Sequence, residues 1–328
     1  MSTTPPRSGL RRAGAVLIAV GTTLASACSA ASNDDSDYPQ RDIQVVVPYP
    51  AGSGIDTTTR ALTDIINDQG DLGRRMQVVN REGGAGSVGT TAVLNAKPDG
   101  YTIGVVPDGP LTLLPQTEDL SYDPENISVI NEIITSPIMI VVPEESPHED
   151  LQSLVAAAGD DPSTITLAEG PLNYTVPADK LEQESDVTFK RVKFDGDQAT
   201  TTALLGGNVD AGVMQLASAL PQLQAGKIRA LALTSAEPVD LVPDVPTFAD
   251  AGVDFAWEAY NVVVAPDGLP DEVRDTLENA FAQAVQSPEF ADAAEKLGLI
   301  VSGAGSEEAM ANLQEKTESS AAILGAEQ

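Results

Sequence analysis

The stretch IQVVVPYPAGSGID, residues 43–56, combines an apolar run, a glycine loop and the start of a helix. Residues 43–47 are mostly β-branched and end at Pro48, which is typical of a buried strand. A helix is predicted over about 57–67. Glycines between a strand and a helix allow a tight turn that presents several backbone N–H groups, and the helix N-terminus adds positive partial charge. The loop 48–56 is therefore a candidate site for a carboxylate or phosphate that needs no Lys or Arg.

The stretch EGGAGSVG, residues 82–89, repeats this arrangement after a second predicted strand at 76–80. In a parallel sheet both glycine loops lie at the carboxyl edge, where ligands bind. Each loop alone favours a plain tight turn, whereas two in succession make anion binding an equal alternative. The GxGxxG pattern at 84–89 also fits a dinucleotide site with Asp108 as the ribose acid. The short helix that follows and the Pro-Asp-Gly-Pro turn around Asp108 disfavour that interpretation.

Strands and helices are predicted to alternate along the rest of the chain, which favours an α/β fold with mostly parallel sheets covered by helices. Further strands are predicted at 101–106, 138–142, 164–167, 188–192, 211–214, 228–233 and 259–265. A short helix is predicted after the second glycine loop, ending at 96, and further helices at 151–158, 198–205, 271–285 and 288–297 and from Ser306 onward. Ser146-Pro147 is the expected start signal for the helix at 151–158.

Composition excludes several classes of protein. The chain of 328 residues carries 49 acidic side chains against 18 Lys and Arg, a formal net charge of −31, and so lacks the basic surface that nucleic acids require. One cysteine and one histidine exclude an internal disulfide, a CxxC pair, a zinc knuckle and a multi-His metal site. They also remove most of the support for Ser-His-Asp or Cys-His catalysis. We therefore expect no catalytic residue, no metal, no cofactor and no nucleic-acid partner.

The N-terminal segment has the pattern of an export signal. Three arginines precede an apolar run at 13–24 that ends in small residues, so residues 1–27 are predicted to be a signal peptide. The sequence around Cys28 resembles a bacterial lipobox, although Ala25 occupies the position where Leu is usual. The alternative is an ordinary signal peptide with a buried thiol. Residues 28–38 are predicted to be a lipidated tether, which would anchor an exported protein to the outer face of the cytoplasmic membrane.

Six motifs follow one another in order across the chain: VPYPAGSGID (47–56), NREGGAGSVG (80–89), KPDGYT (97–102), LLGGNVD (204–210), AGKIRALA (225–232) and VPDVPTFADAGV (242–253). With them, the chain from Ile43 to about Leu324 resembles the substrate-binding proteins of tripartite tricarboxylate transporters, the Bug or TctC-like family. The resemblance implies an α/β, two-lobed venus-flytrap fold like that of periplasmic binding proteins, each lobe a mostly parallel sheet flanked by helices. Residues 39–139 plus 263–328 would form lobe 1 and residues 140–262 lobe 2, with crossovers near Ile140 and Val262.

The resemblance also implies a function. A monomer would capture a small organic carboxylate (a dicarboxylate, tricarboxylate or aromatic acid) in the cleft between the lobes and deliver it to integral-membrane permease subunits. The alternatives are a sensory lipoprotein that presents a carboxylate to a membrane kinase, and an exported enzyme acting on an anionic substrate. The ligand-binding residues carried over by position are Tyr49, Ser53, Gly54, Asp56, Gly84, Ala85, Gly86, Ser87 and Val88 in the first lobe, with Asn173, Tyr174 and Asp195 in the second.

Some positions depart from the family pattern. Ser53 replaces the usual second glycine and adds a hydroxyl donor, whereas Phe194 replaces a tyrosine and removes one. The segment 170–174 lacks the usual Gly-Ser-Ser, and its Leu172 and Tyr174 suit an aromatic or smaller acid. Asp56 is expected to cap its helix or orient the loop, or to bind an amino group of the ligand.

Overall fold

The computed structural model describes residues 38–162, 164–170 and 172–325. The predicted signal peptide, Cys28 and the tether up to residue 37 lie outside the described residues. Among the described residues, no helix is long and apolar enough to cross a membrane.

Strands and helices alternate through most of the described chain. The strands are β1 Ile43–Val47, β2 Met76–Asn80, β3 Thr102–Pro107, β4 Ile127–Pro143, β5 Thr166–Glu169, β6 Lys190–Lys193, β7 Ala211–Gln215, β8 Ile228–Leu233, β9 Glu258–Pro266 and β10 Ile300–Val301. The helices are α1 Gly54–Gln69, α2 Ser87–Leu94, α3 Gly109–Thr112, α4 Leu114–Thr117, α5 Leu151–Asp160, α6 Leu172–Ser185, α7 Asp197–Leu205, α8 Leu216–Gln224, α9 Asp271–Val285, α10 Pro288–Lys296 and α11 Ser306–Gly325.

The long strand β4 joins two halves of the sheet. Its residues 127–137 pair with β9, and with β2, β1, β3 and β10 these strands form the first half-sheet. From Ile138 onward β4 pairs with β7 and β8, and with β5 and β6 these form the second half-sheet. The lobe boundaries predicted at 139/140 and 262/263 stay a prediction.

Strand direction follows the connections between strands. Strands β1, β2 and β3 are parallel to one another, as are β5, β6 and β7, because a helix connects each successive pair. Strands β4 and β9 run antiparallel to their neighbours in the first half-sheet, and β4 does so in the second. The predicted α/β class is confirmed, but the sheets are mixed rather than mostly parallel.

Several elements differ from the sequence-based expectations, among them β4, α5 and α6. β4 begins at Ile127 instead of 138. Its first part was not predicted because polar residues such as Glu132 and Ser136 interrupt the apolar pattern. α5 is capped by Asp150, whose carboxylate accepts a hydrogen bond of 2.7 Å from the Ser153 N–H, and not by Ser146. α6 was not expected, since it contains Pro177.

Helices cover the apolar faces of both half-sheets. Helices α1, α9 and α10 bury residues such as Leu62, Leu277 and Phe290 against the first half-sheet. Helix α11 contributes Leu313 to a cluster of the first half-sheet and Ile323 to a cluster of the second. One helix thus packs on both sides of the join that β4 makes.

Candidate ligand-binding cleft

A cleft of about 540 Å³ lies where β4 and β9 meet the helices of both half-sheets. Residues of the first glycine loop and α1 line one part of it, and residues at the start of α6 and α8 line another. The adjoining strands supply Ile134 and Ser136 from β4 and Ala259, Tyr260 and Asn261 from β9. The cleft therefore draws on both halves of the molecule.

Three of the longer helices, α1, α6 and α8, begin at this cleft, in addition to the four-residue helices α3 and α4. Gly54 opens α1, Leu172 opens α6, and Gln215 is the N-cap of α8; all three residues line the cleft. The first N–H groups of a helix have no acceptor within the helix and carry positive partial charge. Among the lining residues that the structure describes there is no Lys or Arg, and Asp108 is the one acidic residue. The arrangement is suited to an anion held by backbone dipoles.

Ser53 is the N-cap of α1 but does not cap it. Its backbone is extended, with φ −67° and ψ 162°, yet its side chain makes no hydrogen bond to the helix. Its Oγ is buried and has no hydrogen-bond partner among the described residues. The hydroxyl that replaces the usual glycine therefore belongs to a residue that lines the cleft and has no partner among the described residues.

Asp56 is buried behind the first glycine loop and is hydrogen-bonded to it. It is 2% exposed, does not line the cleft, and accepts hydrogen bonds of 2.8 Å from both the Gly52 N–H and the Asn80 amide. Arg60 forms an ion pair with it at 3.0 Å. Burial alone would raise the pKa of Asp56, but these hydrogen bonds and the charge of Arg60 hold it below its ordinary value. The geometry corresponds to the loop-orienting role.

The second glycine loop uses much of its backbone internally. The N–H groups of Gly86 and Val88 donate to the Gly83 carbonyl at 3.0 and 3.4 Å, and the Ser87 N–H donates to the Gly84 carbonyl. Of the predicted residues in this loop, Ala85 lines the cleft, whereas Gly84, Gly86, Ser87 and Val88 do not. This loop therefore offers fewer free donors than the sequence led us to expect.

Close packing joins the two loops. The Tyr49 hydroxyl donates to the Ala85 carbonyl at 3.0 Å, and burial together with the charge of Asp108 raises the pKa of Tyr49 to about 12. A Cβ at Gly89 would lie 2.6 Å from Pro48 Cα. The last glycine of the GxGxxG pattern is thus required for the approach of the two loops, independently of any dinucleotide.

Two of the three residues predicted in the second lobe line the cleft. The Asn173 side-chain oxygen accepts a hydrogen bond of 2.7 Å from the Trp257 indole, and the Tyr174 hydroxyl donates to Asp197 at 3.1 Å. Burial raises the pKa of Asp197. Asp195 is exposed and is not among the lining residues.

A buried lysine beside the cleft was missed by sequence reasoning. Lys316 of α11 is 6% exposed, forms an ion pair with Asp108 and donates to the Glu258 carbonyl. Its ammonium lies 4.2 Å from the Trp257 ring centre and 4.8 Å from that of Tyr260. Burial lowers the pKa of Lys316, against the opposing influence of Asp108. In this ion pair, Lys316 offsets the negative charge of Asp108, which would otherwise repel an anion in the cleft.

This fold and cleft define a solute-binding protein of the periplasmic type. The family model described as "Tripartite tricarboxylate transporter family receptor" matches residues 59–327, and the chain belongs to that family. The resemblance seen in the motifs is confirmed. The family consists of extracytoplasmic solute-binding receptors, not of enzymes.

Related proteins are similar to this chain over most of their length. A UPF0065 protein of Bordetella bronchiseptica is 28% identical over 77% of this chain and 76% of its own. A TctC solute-binding protein from Polaromonas has a similar structure, with a TM-score of 0.78 and 25% identity over 88% of this chain and 99% of that one. MatC from Rhodopseudomonas palustris, a structure with bound malate, gives a TM-score of 0.73 and 25% identity over 87% and 99%.

Proposed function

We propose that the chain captures a small organic carboxylate in the cleft and delivers it to the permease of a tripartite tricarboxylate transporter. The observation that carries the proposal is the start of the longer helices α1, α6 and α8 at a cleft whose described lining contains no Lys or Arg. The malate bound by MatC supports a carboxylate as ligand.

The carboxylate would bind at the start of α1. Its oxygens would accept hydrogen bonds from the first amides of the helix, at Gly54 and Ile55, and from the unpartnered Ser53 hydroxyl. Hydrogen bonds to a charged group are stronger than those between neutral groups. Leu113 and Leu172 line the same cleft and would pack against the carbon skeleton of the acid.

Delivery would require a change of shape and a place at the membrane. Ligand contacts from both half-sheets favour a closed arrangement of the two lobes, and closure would present a surface that the permease recognises. Export through the signal peptide and lipidation of Cys28 would keep a monomeric receptor beside that permease. Replacing Cys28 by Ser should release the protein from the membrane fraction of cells; membrane retention of that variant would contradict the anchor.

Isothermal titration against succinate, malate, citrate, adipate and benzoate tests the binding proposal. Removing a hydrogen bond to a charged group costs about 1.5–3 kcal/mol, so Ser53→Ala should weaken binding roughly 10- to 150-fold. Its stability should not change, since no cap bond is lost.

Ser287→Ala is the matched control. Ser287 caps α10 by accepting a hydrogen bond of 3.1 Å from the Phe290 N–H, so its loss should cost about 1 kcal/mol of stability and leave affinity unchanged. Absence of binding to every acid in the panel would refute the proposed function.

A further inference from the structure

Ser136 stands on β4 where that strand passes from one half-sheet to the other. It pairs with Ala259 of β9 in the first half-sheet, and two residues later Ile138 pairs with Gln215 of β7 in the second. Ser136 is 2% exposed and lines the cleft. A polar side chain is therefore built into the strand that joins the two halves.

The Ser136 hydroxyl has no hydrogen-bond partner among the described residues. A buried hydroxyl without a partner costs free energy, so an alanine at this position would be at least as stable. Ser320 on α11 shows the ordinary case: it is also fully buried, and its hydroxyl bonds to the carbonyls of Thr317 at 2.9 Å and Thr112 at 3.3 Å. The fold itself does not use the Ser136 hydroxyl.

The cleft thus contains two buried, unpartnered hydroxyls on different elements. Ser53 stands at the positive end of α1, where an anion is favoured, whereas Ser136 lies on strand β4. A ligand with two hydrogen-bonding groups could satisfy both hydroxyls, one group at Ser53 and the other at Ser136.

We propose that Ser136 is a ligand-binding residue that hydrogen-bonds a second polar group of the acid, a hydroxyl or a second carboxylate. The ligand class is then a hydroxy acid or a polycarboxylic acid, and a plain monocarboxylate is the weaker ligand. This inference rests on the proposed function, because it assigns a role within the same cleft.

The test compares wild type, Ser136→Ala and Ser320→Ala by isothermal titration with malate, succinate, citrate and butyrate. Butyrate has the carbon chain of succinate without the second carboxylate. Wild type should bind at least one of the three polyfunctional acids more tightly than butyrate. Ser136→Ala should lose about fivefold or more in affinity for that acid and little for butyrate.

Urea denaturation followed by circular dichroism supplies the second readout. Ser136→Ala should be no less stable than wild type, whereas Ser320→Ala should be less stable with unchanged affinity. Unchanged affinity of Ser136→Ala for every acid, or a loss of stability like that of Ser320→Ala, would overturn the inference. Binding of wild type to butyrate alone would overturn it too while the proposed function stands, and binding of no carboxylate would overturn both.

Discussion

Replacing Lys316 by Met should destabilise the protein strongly. The change keeps most of the apolar length of the side chain but removes the ammonium that pairs with Asp108. Asp108 is 1% exposed, so its carboxylate would be left buried without its partner. Removing one member of a buried ion pair is far more damaging than removing both.

The magnitude follows from the geometry. Two unit charges in contact interact by about 4 kcal/mol at an effective dielectric constant of about 20. Measured losses for broken buried pairs are about 3–5 kcal/mol. We therefore expect Lys316→Met to lose about 3–5 kcal/mol of the free energy of unfolding. The double variant Asp108→Asn/Lys316→Met should regain most of that loss, because no uncompensated charge is left.

Urea denaturation followed by far-UV circular dichroism measures these differences. Lys180→Met is the matched control, since Lys180 pairs with Glu184 at 2.6 Å on a helix surface where such pairs contribute only about 0.3–0.5 kcal/mol. If Lys316→Met is too unstable to fold, the double variant still reports on the charge balance. Equal stability of Lys316→Met and Lys180→Met, or a double variant no better than the single one, would refute the reasoning.

Two further predictions concern the glycine loops. Asp56→Asn should lower the free energy of unfolding at neutral pH, and this difference from wild type should shrink as the pH falls below 3.8. A carboxyl whose pKa is lowered by folding stabilises the folded state at pH values above its ordinary pKa, and it loses that effect as it is protonated. Urea titrations at several pH values check this, and a pH-independent difference would contradict it. Gly89→Ala should lose about 1–3 kcal/mol, because its Cβ would meet backbone atoms of Pro48 and Arg81 at 2.6 and 2.7 Å. Gly54→Ala, with open space around the added Cβ, should lose none in the same assay; equal losses would rule out packing as the cause.

Local patterns predicted much of the fold. The apolar β-branched run of β1 and the proline-started helix α9 carry their signals within a few residues, and the structure has them at the predicted positions. The first part of β4 and the helices α6 and α8 were missed. Polar residues interrupt β4, while Pro177 and Pro221 lie inside the two helices, and in each case tertiary packing outweighs the local propensity.

The cleft was predicted in part for a similar reason. Motifs within one loop pointed to Ser53, and that residue lines the cleft. Lys316 and Ser136 carry no such signal, because lysine and serine side chains are mostly exposed to solvent and neither residue lies in a recognisable motif. The Lys316–Asp108 ion pair and the position of Ser136 in the cleft arise only when the fold brings together parts of the chain that are far apart in sequence.

The environment of Trp257, the one tryptophan in the sequence, has a practical consequence. Its indole N–H is bonded to the cleft-lining Asn173, its ring stacks on Phe255 at 5.9 Å, and the Lys316 ammonium lies over its face. Indole emission responds to nearby charges and hydrogen bonds. Trp257 emission should therefore change when a ligand occupies the cleft, and this change would report occupancy without an added dye.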